Sequence, residues 1–408
     1  MAVSLSSIVK LYLYLLNQNS ISSSEHTNIL KIGMPCIHIL GLGSMGTLLA
    51  VELLKHTEAS IIPIFRSKEK QENFERVGKS VIGLRKLFLE GLPLTEFMIN
   101  HSSCPEDFSS SSIKNLVITA KTYQTKSAIE PYLTFINNDT NLILIQNGLG
   151  VLEQLKEEVF INESTRPNLF QGVISHGVYH DKGFIYNHAG WVGMKIARLP
   201  WGNKEEDPIQ SRNLIAQDRS NNELMKLLTS EPFAKSFGIQ HLTYQELLLG
   251  QLHKFLLNSC MNTVTAIADC VNGEMANHCE DIFRLILNES LDILRVAYKP
   301  LFEYETKYRT LEEKFSVLNV DSVLNTNRLV KEIIQVGCIA CAKNSTSMRQ
   351  DTLNLRDTEI AYINGYLVDL ACKLGLGDKA SKVNQTIVAF VNLRSGLNRT
   401  RAMDGDKR

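Results

Sequence analysis

From Cys36 onward the chain alternates short apolar runs with stretches of helical periodicity, the pattern of an α/β sheet. Cys36–Leu40 (CIHIL) reads as a buried strand and Met45–His56 as the helix that follows it. Ile61–Phe65 (IIPIF) is a second strand, although Pro63 sits awkwardly in a central one. Leu116–Thr119 and Leu142–Ile145 are two more, each followed by a helical pattern. Runs this short, without polar alternation, suit parallel strands covered on both faces. Gly172–Tyr179, Gly183–Tyr186 and Val192–Ala197 are expected to close the sheet with antiparallel edges. Trp201–Asn222, rich in charge, Asn, Gln and Ser, reads as a solvated linker or insertion. Beyond it the pattern is helical almost throughout, to about Ser395. The organisation expected is a flexible extension over 1–34, a sheet domain over 35–200, a linker over 201–222, a helical domain over 223–396 and a frayed tail over 397–408.

Composition narrows the partners. At 408 residues, with 44% hydrophobic and 21% charged, the chain can bury two ordinary cores. Its 43 basic residues balance 43 acidic ones, so no global field draws it to nucleic acid or an anionic membrane. No apolar run reaches the ~18 residues that a membrane span needs. The 8 cysteines are scattered through apolar segments, and Cys338-x-x-Cys341 has no second pair, so they read as reduced intracellular thiols rather than a disulfide or metal framework. A cytoplasmic protein is expected, and the extension over 1–34 leaves a mitochondrial address open.

The first chemical signal follows the first strand. Gly41, Leu42, Gly43, Ser44, Met45 and Gly46 form a G-x-G-x-x-G turn that opens a helix. In such a turn the first glycine permits the tight bend, the second lets a pyrophosphate approach, and the third lets helix and strand pack. The helix N-terminus offers its N–H groups to phosphate. An Asp or Glu at the end of the second strand would select NAD. Here Arg66 stands twenty residues after Gly46, with Ser67, Lys68 and Lys70 close behind. A guanidinium can fork onto a 2′-phosphate, so the expected cofactor is NADPH/NADP+. The alternative is a solvated basic turn.

Lys121 and Asn147 lie just past the third and fourth strands, where open α/β sheets bind ligands. Further on, Lys254, Asn258 and Asn262 are spaced by four and so share one stripe of a helix. Asparagine is a poor helix former, so two in line with a lysine point to a polar wall facing a cleft, or to a stripe facing water.

The order Gly41-x-Gly43-x-x-Gly46, Ala120-Lys121, Gln146-Asn147-Gly148, His253-Lys254 to Glu274 and Ser347 to Gly365 resembles the ketopantoate reductase family, from about residue 36 to about 393. KFLLNSCMNTVTAIADCVNGE and SMRQDTLNLRDTEIAYINGYL are the most specific stretches. The resemblance implies a Rossmann dinucleotide-binding domain followed by an all-helical domain like that of the 6-phosphogluconate dehydrogenase group. It implies NADPH-dependent reduction of a small keto acid, 2-dehydropantoate, in pantothenate and coenzyme A biosynthesis. A monomer or homodimer is expected, the sequence not deciding between them. On the basis of the resemblance Lys254 is the general acid and Glu359 the active-site carboxylate. Asn147, Asn258, Asn262 and Ser347 bind substrate, Lys121 lies near the nicotinamide ribose, and Asn147 and Glu359 also touch the cofactor. The chain departs from the family pattern at His253, where Trp is common, and at Thr263, where Pro is common. His253 is expected to pack beside the helix rather than act as a second acid. Two other readings stay open: a reductase of another small 2-keto acid, and a non-catalytic NADP-binding descendant.

Overall fold

The computed structural model describes residues 34–146, 149–202, 208–308, 310–311 and 314–405. Its main sheet has seven strands, in the order β11-β10-β7-β6-β5-β1-β2. These are β1 (Cys36–Leu40), β2 (Ser60–Ile64), β5 (Asn115–Ile118), β6 (Asn141–Ile145), β7 (Asn168–Ile174), β10 (Met194–Arg198) and β11 (Ile239–His241). The five from β2 to β7 run parallel, and β5 and β6 are buried at every position, as short apolar runs require. Pro63 is accommodated because β2 is an edge strand. Its carbonyl accepts from Ser103 N on the outer side, so the missing N–H also points away from β1.

The expected antiparallel closure is correct for β10 alone, which pairs with β7. The two strands before it, β8 (Gly177–Lys182) and β9 (Ile185–Gly190), belong to a second, four-stranded sheet of order β4-β3-β9-β8. Its other members, β3 (Val81–Lys86) and β4 (Leu94–Met98), carry no clear apolar run. This sheet covers α1 (Ser44–His56), which touches both sheets and is buried from Gly46 to Leu53. Glu52 on α1 is 2% exposed and meets Lys86 Nζ at 2.8 Å, an ion pair that fastens the second sheet to the helix. Lys86 and Ser236 as donors, with His56 beside it, hold the Glu52 carboxyl down to about 2 against the opposing effect of burial.

Three further differences concern the remaining segments. Of 201–222, residues 203–207 lie outside those described, and Asn213–Asn221 is a helix. Asp218 anchors that helix to β10, accepting from Arg198 Nε at 2.9 Å. The helical stretch from 223 first supplies two short helices and β11, which completes the main sheet. At the other end the final helix, Lys382–Gly405, continues through the expected tail because Asn398 donates to Thr352 O and Arg399 pairs with Asp357. The extension over 1–33 lies outside the described residues.

The centre of the helical part is α2 (Tyr244–Ala268). It opens on a capping box of Thr243 with Glu246, and Asp269 ends it in the left-handed region, at φ 53°. Most of its faces are buried against neighbouring helices, including Glu280–Ala297, Ser347–Leu353 and Lys382–Gly405. The described residues from Pro35 onward form one compact unit. Among the described residues no helix is long and apolar enough to cross a membrane.

Candidate active site

The site takes its shape from strands that end level. Leu40 pairs with Ile64 and Ile118, Ile118 with Leu144, and Ile145 with Gly172. The segments that follow β1, β2, β5 and β6 therefore gather along one edge of the sheet, where such sheets bind ligands.

At the first of these, Gly41 adopts φ +105° and its carbonyl accepts from Thr119 Oγ1. A Cβ at Gly46 would stand 2.1 Å from the Gly41 oxygen, so no larger residue fits without moving backbone. Gly43 has nothing within 4 Å of where its Cβ would be, and no side chain caps the helix there. The first N–H groups of α1 thus open onto a space without side chains, a cradle that fits a pyrophosphate. Arg66 is exposed two residues beyond β2, beside this turn. Two of its neighbours have structural tasks: Ser67 caps the helix Lys68–Arg76, and Lys68 Nζ reaches Asp107 at 2.7 Å.

The helical side supplies the candidate reactive groups. The Lys254, Asn258 and Asn262 stripe does not face water. With Ser347 and Glu359 it lines one cavity of about 230 Å³. Ser347 is placed by the helix it begins, whose cap Thr346 bonds Thr265 on α2, Oγ1 to Oγ1 at 2.6 Å. Glu359 directly precedes the short turn Ile360–Tyr362. Burial pushes the Lys254 amine below the usual lysine range, and the charge of Glu359 opposes that fall. Burial likewise raises the Glu359 carboxyl; Lys121 and Lys254 oppose the rise and Asp351 adds to it. Lys121, just after β5, is thus electrostatically part of the site, although it does not line the cavity. Asn147 lies outside the described residues. His253 is absent from the lining, and its Nε2 meets Glu332 at 3.1 Å.

Six lining residues were not anticipated: Gln146, Val173, Gln251, Phe255, Tyr362 and Ile363. Gln251 was within reach of the sequence, one turn before Lys254 on the same stripe. Gln146 Nε2 donates to Ala120 O at 2.8 Å and Thr125 Oγ1 at 2.7 Å, tying the ends of β5 and β6 together.

A glycine turn at the strand ends that fits a pyrophosphate, together with a cavity lined by a buried amine and a carboxylate, is the combination found in two-part nicotinamide-dependent oxidoreductases. Comparison with known proteins narrows the class. Residues 37–201 match the family described as ketopantoate reductase PanE/ApbA, and residues 246–395 match its C-terminal domain. The 2-dehydropantoate 2-reductase of Saccharomyces cerevisiae is 56% identical over 91% of this chain and 97% of its own. A probable 2-dehydropantoate 2-reductase of Schizosaccharomyces pombe is 34% identical over 90% and 98%. The ketoisovalerate reductase of Gibberella fujikuroi is 23% identical over 84% and 79%. Among solved structures, a probable 2-dehydropantoate 2-reductase from Bacillus subtilis shares the fold with TM-score 0.59 at 22% identity, over 87% of this chain and 99% of that one. The chain belongs to the ketopantoate reductase family.

Proposed function

We propose that this protein reduces 2-dehydropantoate to pantoate with NADPH. The observation that carries the reading is the convergence of Lys254, Asn258, Asn262, Ser347 and Glu359 on one small cavity, drawn from three separate stretches of chain. The identity to the budding-yeast 2-dehydropantoate 2-reductase supports the same substrate.

When bound, the dinucleotide supplies hydride to the C2 carbonyl carbon. Gly41 to Gly46 would hold its pyrophosphate and Arg66 its 2′-phosphate, and the absence of an acidic residue at position 66 removes the group that would repel that phosphate. Lys254, as ammonium, donates a hydrogen bond to the carbonyl oxygen as negative charge grows there, then passes it a proton. Glu359 favours the charged form of Lys254 in surroundings that disfavour it. Asn258, Asn262 and Ser347 supply neutral donors that hold the carboxylate before the reaction. Lys121 and Asn147 belong to the cofactor edge of this reading, and Asn147 also to its substrate side.

NADPH oxidation with 2-dehydropantoate, set against 2-ketoisovalerate, tests the assignment. Faster turnover of 2-dehydropantoate is the expected outcome; preference for the plain alkyl acid would transfer the protein to another substrate of the same fold. Tight NADPH binding without oxidation by either acid would make it a binding protein.

A further inference from the structure

Gln251 lines the catalytic cavity and has no task in the mechanism above. It lies on α2, one turn before Lys254, and is 8% exposed. Among the described residues its carboxamide has no hydrogen-bond partner, yet neither amide atom is sealed off. The carboxamide of a residue this buried therefore opens onto the cavity. Facing the cavity with no partner among the described residues, the carboxamide keeps both its donor and its acceptor available to a ligand.

Its position says which part of the ligand. Along a helix axis Gln251 lies roughly 4.5 Å to one side of Lys254, and Asn258 roughly 6 Å to the other. A keto group at Lys254 is thus straddled, with Asn258, Asn262 and Ser347 beyond one end of the substrate and Gln251 beyond the other. A carboxylate only accepts hydrogen bonds, which suits the end with several donors. A hydroxyl both donates and accepts, and one carboxamide offers both partners. Phe255 and Val173, in the same lining, give apolar surface for the methyl groups between.

We infer that Gln251 binds the primary hydroxyl of 2-dehydropantoate and determines specificity against keto acids that lack it. This rests on the reading under Proposed function. It also addresses a question within the family: a relative is named for ketoisovalerate, the same keto acid without the hydroxymethyl group. A site that hydrogen-bonds a hydroxyl discriminates strongly against the analogue without one.

Gln251→Leu breaks no hydrogen bond within the described protein and keeps a good helix former, so the thermal midpoint serves as the folding control. The measurements are kcat/KM for 2-dehydropantoate and for 2-ketoisovalerate, together with the Kd of pantoate and of 2-hydroxyisovalerate on the NADP+ complex. The ratio of the two kcat/KM values should move against 2-dehydropantoate by about 10- to 100-fold, and pantoate affinity should fall in step. Equal losses on both acids, or no loss on either, overturn the assignment. The wild-type enzyme separates the two claims: if it reduces neither acid the proposed function fails, whereas a wild type that prefers 2-dehydropantoate with an unmoved ratio in the variant sinks only the role of Gln251.

Discussion

The two halves of the proposed site are built by opposite means. On the sheet side the cofactor cradle is made of missing side chains: Gly46 has no room for a Cβ, and at Gly43 the space stays empty. On the helical side the proposed reacting surface is made of side chains, set on one long buried helix and two flanking segments. Damage on the sheet side should therefore appear as lost cofactor affinity, and damage on the helical side as lost chemistry with cofactor affinity retained.

The largest expected effect is on chemistry. Lys254→Ala should lower kcat by about 10²- to 10⁴-fold, with the Kd for NADPH within about threefold of wild type, since an interaction made only in the transition state does not contribute to ground-state binding. Loss of NADPH binding in that variant would show that the division between the halves is wrong. Gly46→Ala should do the converse. Its Cβ forces backbone to move near Gly41, so NADPH affinity should fall by about 10- to 100-fold, the equivalent of roughly 1–3 kcal/mol of overpacking, measured by fluorescence titration.

How far these parts were readable in the sequence follows the same division. The glycine turn was plain because its spacing is short and local. The buried parallel strands were plain because nothing but apolar residues fits there. The second sheet was not. Gly83, Arg85 and Lys86 interrupt the apolar pattern of β3, and β4 alternates between exposed and half-buried positions. What makes Lys86 acceptable inside is its partner Glu52, some thirty residues earlier in the chain, a pairing that no local pattern contains. On the helical side the Lys254 stripe was legible as a stripe, but only the fold decided that it faces a cavity rather than water. Gln251 was overlooked because a glutamine at the end of an apolar run looks like ordinary helix surface.

Two smaller effects sharpen the comparison. Arg66→Ala should cost about 1.5–3 kcal/mol of NADPH binding, the range for a hydrogen bond to a charged group, while NADH affinity hardly changes. Equal loss for both cofactors would remove the 2′-phosphate from Arg66. Glu359→Gln bears on pH. The carboxylate holds the amine of Lys254 up against burial. Without it the amine titrates lower still, and activity that needs the protonated form falls off at a lower pH. Glu359 itself titrates above the usual carboxylate range, so the acidic limb that it causes in wild type should be lost in the same variant. An alkaline limb that stays in place or moves upward would contradict this coupling.

The central claim is that the proton for the new alcohol comes from Lys254, and the alkaline limb of kcat/KM for 2-dehydropantoate reports on it most directly. In wild type that limb should lie below the ordinary lysine value of 10.5, because burial makes the amine easier to deprotonate. In Lys254→Arg, whose guanidinium stays protonated over the whole range, the remaining activity should show no such limb. If the arginine variant keeps the same limb at the same pH, another group supplies the proton and the account of this site is wrong.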